Sequence, residues 1–218
     1  PGDIIILNPL LNRDGLPLFE QINEKHISPA VNAVLKDNRL IIKNVESNKE
    51  DPNWQNFVSP LQKSNEKLSR VWSQINHLNS VVNNEQLRVI YNKNLNKITK
   101  YHSELSQNKL IYKKFLKIKS GRHYQKLTVP QKKIIADEIL GFELGGVGLD
   151  GTKKSEFKKI ISRLSKLSAS FEENLLDSVN NYSLLIKDKN RLKGVPKDVL
   201  VKAKIDAKLQ KNLAGFLV

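Results

Sequence analysis

An all-α fold is predicted by three observations that agree with one another. Apolar residues recur at three- and four-residue steps through successive segments, the spacing that gathers side chains on one helix face. Cap residues precede several of these segments, and prolines and glycines separate them. Only the last few residues read as a strand. Ser28-Pro29 reads as an N-cap followed by proline at the first helical position, where its missing N–H costs nothing. From there Val31, Val34, Leu35, Asn38, Ile41, Ile42 and Val45 keep one stripe up to the polar stretch Ser47 to Pro52. Ser59-Pro60 repeats the start signal, and Leu61, Leu68, Val71, Trp72, Ile75, Leu78 and Val82 line the next helix. A third carries Leu87, Ile90, Tyr91, Ile98, Tyr101 and Leu105, and a shorter one around Leu110 to Ile118 ends near Gly121.

Thr128 is the expected cap of the following helix, which Gly145-Gly146 closes. Gly145 to Gly151 holds four glycines in seven residues and reads as a tight loop. It follows a helix rather than a strand, lacks a lysine-serine or lysine-threonine ending, and carries Asp150 where an anion would sit, all of which argue against a phosphate cradle. Ser155 to about Ile186 is the longest expected helix, with Phe157, Ile161, Leu164, Leu167, Phe171, Leu175, Val179, Tyr182 and Leu185 at near-heptad steps. Its length suits a structural spine. Gly194-Val195-Pro196 breaks the chain, Pro196 starts a last helix to about Lys211, and Leu213 to Val218 is apolar enough to begin a strand. A hydrophobic run that stops at its start reads as a truncated fragment, and the absence of an initiator methionine reads as a processed or cut amino terminus. No internal repeat, low-complexity linker or strong domain boundary is visible.

At 218 residues the chain can bury a sizeable core. No apolar run approaches the roughly 18 to 20 residues needed to span a bilayer, and Ile4 to Leu7 is far too short for a signal-peptide core. Without cysteine there is neither a disulfide framework nor a thiolate metal site. A cytoplasmic location and no membrane partner are expected. The formal charge of +15 invites a nucleic-acid reading. Only seven of the 37 basic residues are arginine, however, and nucleic-acid readers lean on arginine's bidentate contacts. Residues 1–92 are balanced, so residues 93–218, with 27 basic and 12 acidic side chains, carry the whole excess. A solvated lysine-rich face is the expected meaning, and nucleic acid is not the expected partner.

Candidate chemistry is sparse. His26, His77, His102 and His123 are scattered, with no two at the helical spacing of a metal pair. His102 and Glu104, two residues apart on a helix, point in different directions. No serine occupies a G-x-S-x-G elbow. Glu172, Glu173 and Asp177 read as a charge-balanced helix face, and His77, between Ile75 and Leu78, as a satisfied histidine at the edge of a buried face. No catalytic, cofactor-binding or metal-binding residue is assigned.

Several segments, in order, resemble one family. They are LPLFEQI (Leu16 to Ile22) with HISPAV (His26 to Val31), SRVWSQINHLNSV (Ser69 to Val81), FELGGVGL (Phe142 to Leu149) and RLSKLSASFEENLLDS (Arg163 to Ser178). NNEQLRVIY (Asn83 to Tyr91) and LKGVPKDVL (Leu192 to Leu200) also fit. Together they resemble the amino-terminal part of the oligopeptidase A and thimet oligopeptidase family of zinc metallopeptidases. Ser73, His77, Leu78 and Asn79 match the family's W/F-S-x-x-x-H-L-N pattern, with Gln74 where relatives often have proline. The resemblance implies a neurolysin-like, two-lobed helical body around a deep channel. Residues 1–218 would then be a non-catalytic channel wall that admits short peptides. A carboxyl-terminal part absent from this sequence would supply HExxH, its zinc and the general base. Zinc is therefore expected in the full-length enzyme and not in this fragment. The alternatives are a stand-alone helical scaffold or adaptor, or a basic nucleic-acid-binding helical protein.

Overall fold

The computed structural model describes residues 8–12, 15–211 and 214–217. The expectations for Ile4 to Leu7, Leu213 and Val218 lie outside these residues. The structure is all-α. Seven α-helices cover well over half of the described residues: α1 (Glu24–Ser47), α2 (Ser59–Val81), α3 (Glu85–Ser106), α4 (Lys109–Ser120), α5 (Val129–Leu144), α6 (Gly151–Asn181) and α7 (Lys197–Lys211). Two short strands, β1 (Leu185–Ile186) and β2 (Phe216–Leu217), form an antiparallel pair. The chain divides into two compact units, Pro1–Leu167 and Ser168–Val218, and the division falls within the continuous helix α6 rather than in a linker.

In the first unit, α1 begins a turn earlier than Ser28. Asn23 is its cap and forms a reciprocal box with His26, whose Nδ1 accepts from the Asn23 N–H at 3.2 Å. This box satisfies orphan donors at the helix start. Burial of Ile27, fully shielded, rewards the extra turn. Pro29 therefore sits inside the helix, where the helix lacks a donor to the Lys25 carbonyl. Ser59-Pro60 is also preceded by helix: a π-helical turn, Trp54–Val58, runs straight into α2. Its cap is Asn53, whose side chain accepts from the backbone N–H of Gln55 and Asn56. Thr128 caps α5 as expected, through the Gln131 N–H.

Helices α1 and α3 run parallel, and a ladder of cross-helix bonds fixes their register. Asn94 Nδ2 donates to Ser28 Oγ (2.9 Å), Lys97 Nζ to Asn32 Oδ1 (2.8 Å), and Asn38 Nδ2 to the Tyr101 hydroxyl (3.4 Å). Arg39 meets Glu104 at 3.3 Å, and just past the end of α3 Asn108 Nδ2 donates to Glu46 Oε1 at 2.5 Å. Asn38 and Asn94 are fully buried, so each lost bond would strand a polar group out of water. One apolar cluster joins α1, α2 and α3 through residues such as Val31, Val34, Val71, Ile75, Tyr91 and Ile98. A second joins Phe57, Ile111, Phe115, Ile135 and Phe142 from the π turn, α4 and α5. Phe57 and Phe115 pack edge to face at 4.9 Å, the arrangement their ring quadrupoles favour.

Lys114 of α4 closes the end of α1. Its ammonium donates to the carbonyls of Val45, Glu46 (3.1 Å) and Asn48 (2.8 Å). A cation there satisfies orphan acceptors and meets the negative end of the helix dipole. The glycine-rich stretch is a packing device. A Cβ on Gly145 would lie 2.4 Å from Ser106 Cβ, and Gly146 turns with φ +80°. Asp150 pairs with Lys109 at 2.6 Å.

The second unit holds the remainder of α6, the β pair and α7. Residues 182–186 leave the expected helix: α6 ends at Asn181, and Leu185 and Ile186 pair with Leu217 and Phe216. That partner is some thirty residues further along the chain, which local periodicity does not reveal. Ile186, Leu192, Ala203, Ala207 and Leu217 are buried, and α7 packs on β2.

Candidate functional site

Among the described residues the histidines do not gather into one site with other possible metal ligands. His26 serves the α1 cap, and His123 is exposed in the short 3-10 helix Arg122–Lys126. His77 is exposed rather than at the edge of the core, and its ring rests on Phe19 at 5.1 Å. Ile75 points into the core, whereas two residues on the helix has turned through roughly 200°. Glu104 is engaged by Arg39 (3.3 Å) and Lys100 (3.9 Å), which leaves it a partner of cations and not of His102. Glu172 is exposed, with Glu173 and Asp177 half-buried along the same helix. Among the described residues no three His, Cys, Asp or Glu side chains come together in a way that could hold a metal ion. The described residues therefore do not fit a zinc centre.

What the structure does assemble is cationic. Between α1 and α3 lies an open groove of about 520 Å³, lined by Lys36, Arg39 and Lys43 from one helix and Lys97 and Lys100 from the other. Leu35 and Leu40 give it an apolar wall, Asn32 adds an amide, and among the described residues no carboxylate lines it. Lys36 and Lys43 are exposed. The helical spacing puts Lys36, Arg39 and Lys43 on one face, and the parallel register of α3 brings Lys97 and Lys100 against them. The Lys97 ammonium is held below the usual lysine range, first by desolvation and then by repulsion from Lys93. Arg39 also lies over the Tyr101 ring, 5.6 Å from its centroid. A second depression continues past Lys100 toward the first part of α6, where Lys158 and Lys166 flank Ser162. Thr99 and Ser165 hydroxyls bond across that seam at 2.9 Å.

Sequence reasoning located the positive excess after residue 92 but missed this groove. Three of its five cations lie in the charge-balanced part of the chain, and only the pairing of α1 with α3 unites them. The i, i+3, i+7 spacing of Lys36, Arg39 and Lys43 was the available signal.

A different pocket, of about 330 Å³, opens where Leu10 and Leu11 meet α1 and α2. Its floor includes Ala33, Val34 and Val71, and its rim carries charges of both signs. Arg70 is tied there to the backbone carbonyls of Asn12 (3.1 Å) and Gly15 (2.7 Å), anchoring the entering chain to α2. This arrangement explains local packing and selects no ligand chemistry.

Comparison with known proteins supplies the class that this all-helical architecture belongs to. The profile of the neurolysin/thimet oligopeptidase N-terminal domain matches residues 31–154. The chain belongs to the neurolysin/thimet oligopeptidase family, as its amino-terminal domain. Among relatives, it is 37% identical over 209 residues to oligopeptidase A of Haemophilus influenzae, a match covering 96% of this chain and 30% of that protein. It is 34% identical over 211 residues to oligopeptidase A of Escherichia coli, covering 97% and 31% respectively. A probable cytosolic oligopeptidase A of Arabidopsis thaliana is 32% identical over 198 residues, covering 91% and 28%. The chain thus spans about 30% of the length of the curated relatives it matches.

Proposed function

We propose that this chain is the non-catalytic helical wall of a zinc-dependent oligopeptidase that hydrolyses short peptides in the cytoplasm. The observation that carries the proposal is the coverage: nearly the whole chain aligns with oligopeptidases A, yet about 70% of their length lies outside the alignment. That remaining length is where HExxH, its zinc and the general base would reside. The residues of this chain would shape access to the reaction and would not take part in bond cleavage. The absence of cysteine suits a reducing compartment, and among the described residues no helix is long and apolar enough to cross a membrane.

The test is metal analysis after dialysis, with a fluorogenic peptide assay on the purified chain beside the same chain extended to the length of its relatives. The chain by itself is expected to hold zinc well below one ion per molecule and to show no turnover. The extended protein is expected to hold zinc and cleave. One tightly held zinc in the present chain, with turnover lost on chelation, would overturn the assignment.

A further inference from the structure

We propose that the groove between α1 and α3 is a binding site for acidic peptide segments, with carboxylates seated on Lys36, Lys43 and Lys97, beside the Arg39 and Lys100 that Glu104 already engages. Five cations line this groove without a carboxylate among them. Glu104, beside it, is engaged by Arg39 and Lys100. Lys36 and Lys43 have no ion-pair partner among the described residues. Like charges held this closely repel one another, and an anionic ligand relieves the repulsion it finds there. The nearby Lys93 adds to that repulsion at Lys97, whose charged form is also disfavoured by desolvation. The groove is thus charged in advance of any ligand.

Its dimensions and chemistry select the class of anion. Lys36 and Lys43 are seven residues apart on α1, roughly 10 Å at 1.5 Å per residue. That is the length of about three residues of extended peptide. Leu40, half exposed, offers apolar contact to the stems and backbone of such a peptide. A nucleic acid would call for aromatic faces to stack on and free arginine forks. Among the described residues no aromatic lines the groove, and its one arginine is engaged by Glu104 and Tyr101. The inference does not rest on the peptidase reading, because it concerns binding to this chain and not turnover.

Fluorescence anisotropy with a labelled oligoglutamate peptide on the purified chain provides the test. Lys36→Glu with Lys43→Glu is expected to weaken binding about tenfold or more, because two attractions become repulsions. Lys187→Glu with Lys204→Glu, the same charge change in the second unit, is expected to weaken it less than about twofold. Thermal melts establish that each variant is folded; Lys36→Gln with Lys43→Gln repeats the test with a milder change. Its expected loss is about threefold or more. Affinity is also expected to fall as salt rises from about 50 to about 200 mM. Equal losses in groove and control variants would reduce the effect to net charge and overturn the proposal. So would tighter binding of an oligothymidylate of matched charge, which would make the groove a nucleic-acid site, or undiminished binding by the folded groove variants.

Discussion

Along α1, Ile27, Val31, Val34 and Leu35 are each no more than 5% exposed, whereas along α6 Leu164, Leu167, Phe171 and Leu175 are 55–68% exposed. Both sets follow the same helical period, and both helices are long. The difference is tertiary: α2 and α3 cover the α1 stripe, while these positions of α6 remain more than half exposed. An amphipathic pattern states that a helix has a face to bury. It does not state what buries it. An apolar stripe left in water favours association with another surface, so α6 is where the isolated chain is expected to be least soluble.

The largest expected effect would break or uphold this contrast directly. Phe115→Ala removes a ring that is 1% exposed and packed against Phe57 and Phe142, so a loss of about 3–5 kcal/mol is expected in denaturant unfolding. Phe171→Ala, in the uncovered stripe, is expected to cost less than about 0.5 kcal/mol. Comparable losses would mean that α6 is covered in solution.

A second, smaller effect asks whether the covered region depends on polar closure as well as on apolar packing. Lys114→Met keeps much of the stem but strands the three carbonyls at the end of α1. A loss of about 1–3 kcal/mol is expected, with amide exchange accelerating first around Val45 to Asn48. Unchanged stability and exchange would show that water satisfies those carbonyls equally well.

The smallest effect uses Glu138, which the α2–α5 packing half buries. Desolvation raises its carboxyl above the usual range, partly opposed by the bond from Gln62 Nε2 at 2.8 Å, while Asp137 adds to the rise. A carboxyl whose folded value is raised contributes stability below its unfolded value and loses it as pH rises through the folded one. Glu138→Gln keeps a carbonyl acceptor for Gln62 and removes the titration. The variant is therefore expected to melt slightly higher than the parent above that window, with the gap closing toward acid. A melting difference independent of pH would show that burial of the charge is not its cause.

Much of the fold was legible because its signals are local. Thr128 as a cap, Gly145-Gly146 as a stop and the stripe ending near Ser47 each depend on neighbours within one or two helical turns. The legible part of the function came from ordered segments such as SRVWSQINHLNSV and FELGGVGL, which carry family membership without naming a reacting group. Ser28-Pro29 misled because a cap and first-turn proline are recognised by residue type, and Asn23 with His26 supplied a cap one turn upstream. His77 misled because apolar neighbours at Ile75 and Leu78 say little about a residue lying between them on a helix.

By itself, the sequence determined the helical class, most helix ends, the family and the positive excess beyond residue 92, since propensity, capping and composition act over short stretches of chain. Tertiary structure decided which stripe is buried, where α6 yields to a strand, and which cations share a groove. Those outcomes depend on residues that are distant in sequence: Ile186 on Phe216, Val45 on Lys114, and Arg39 on Glu104. Loop closure and packing, not local preference, bring such partners together, and that is why the groove between α1 and α3 emerges only when the two helices lie side by side.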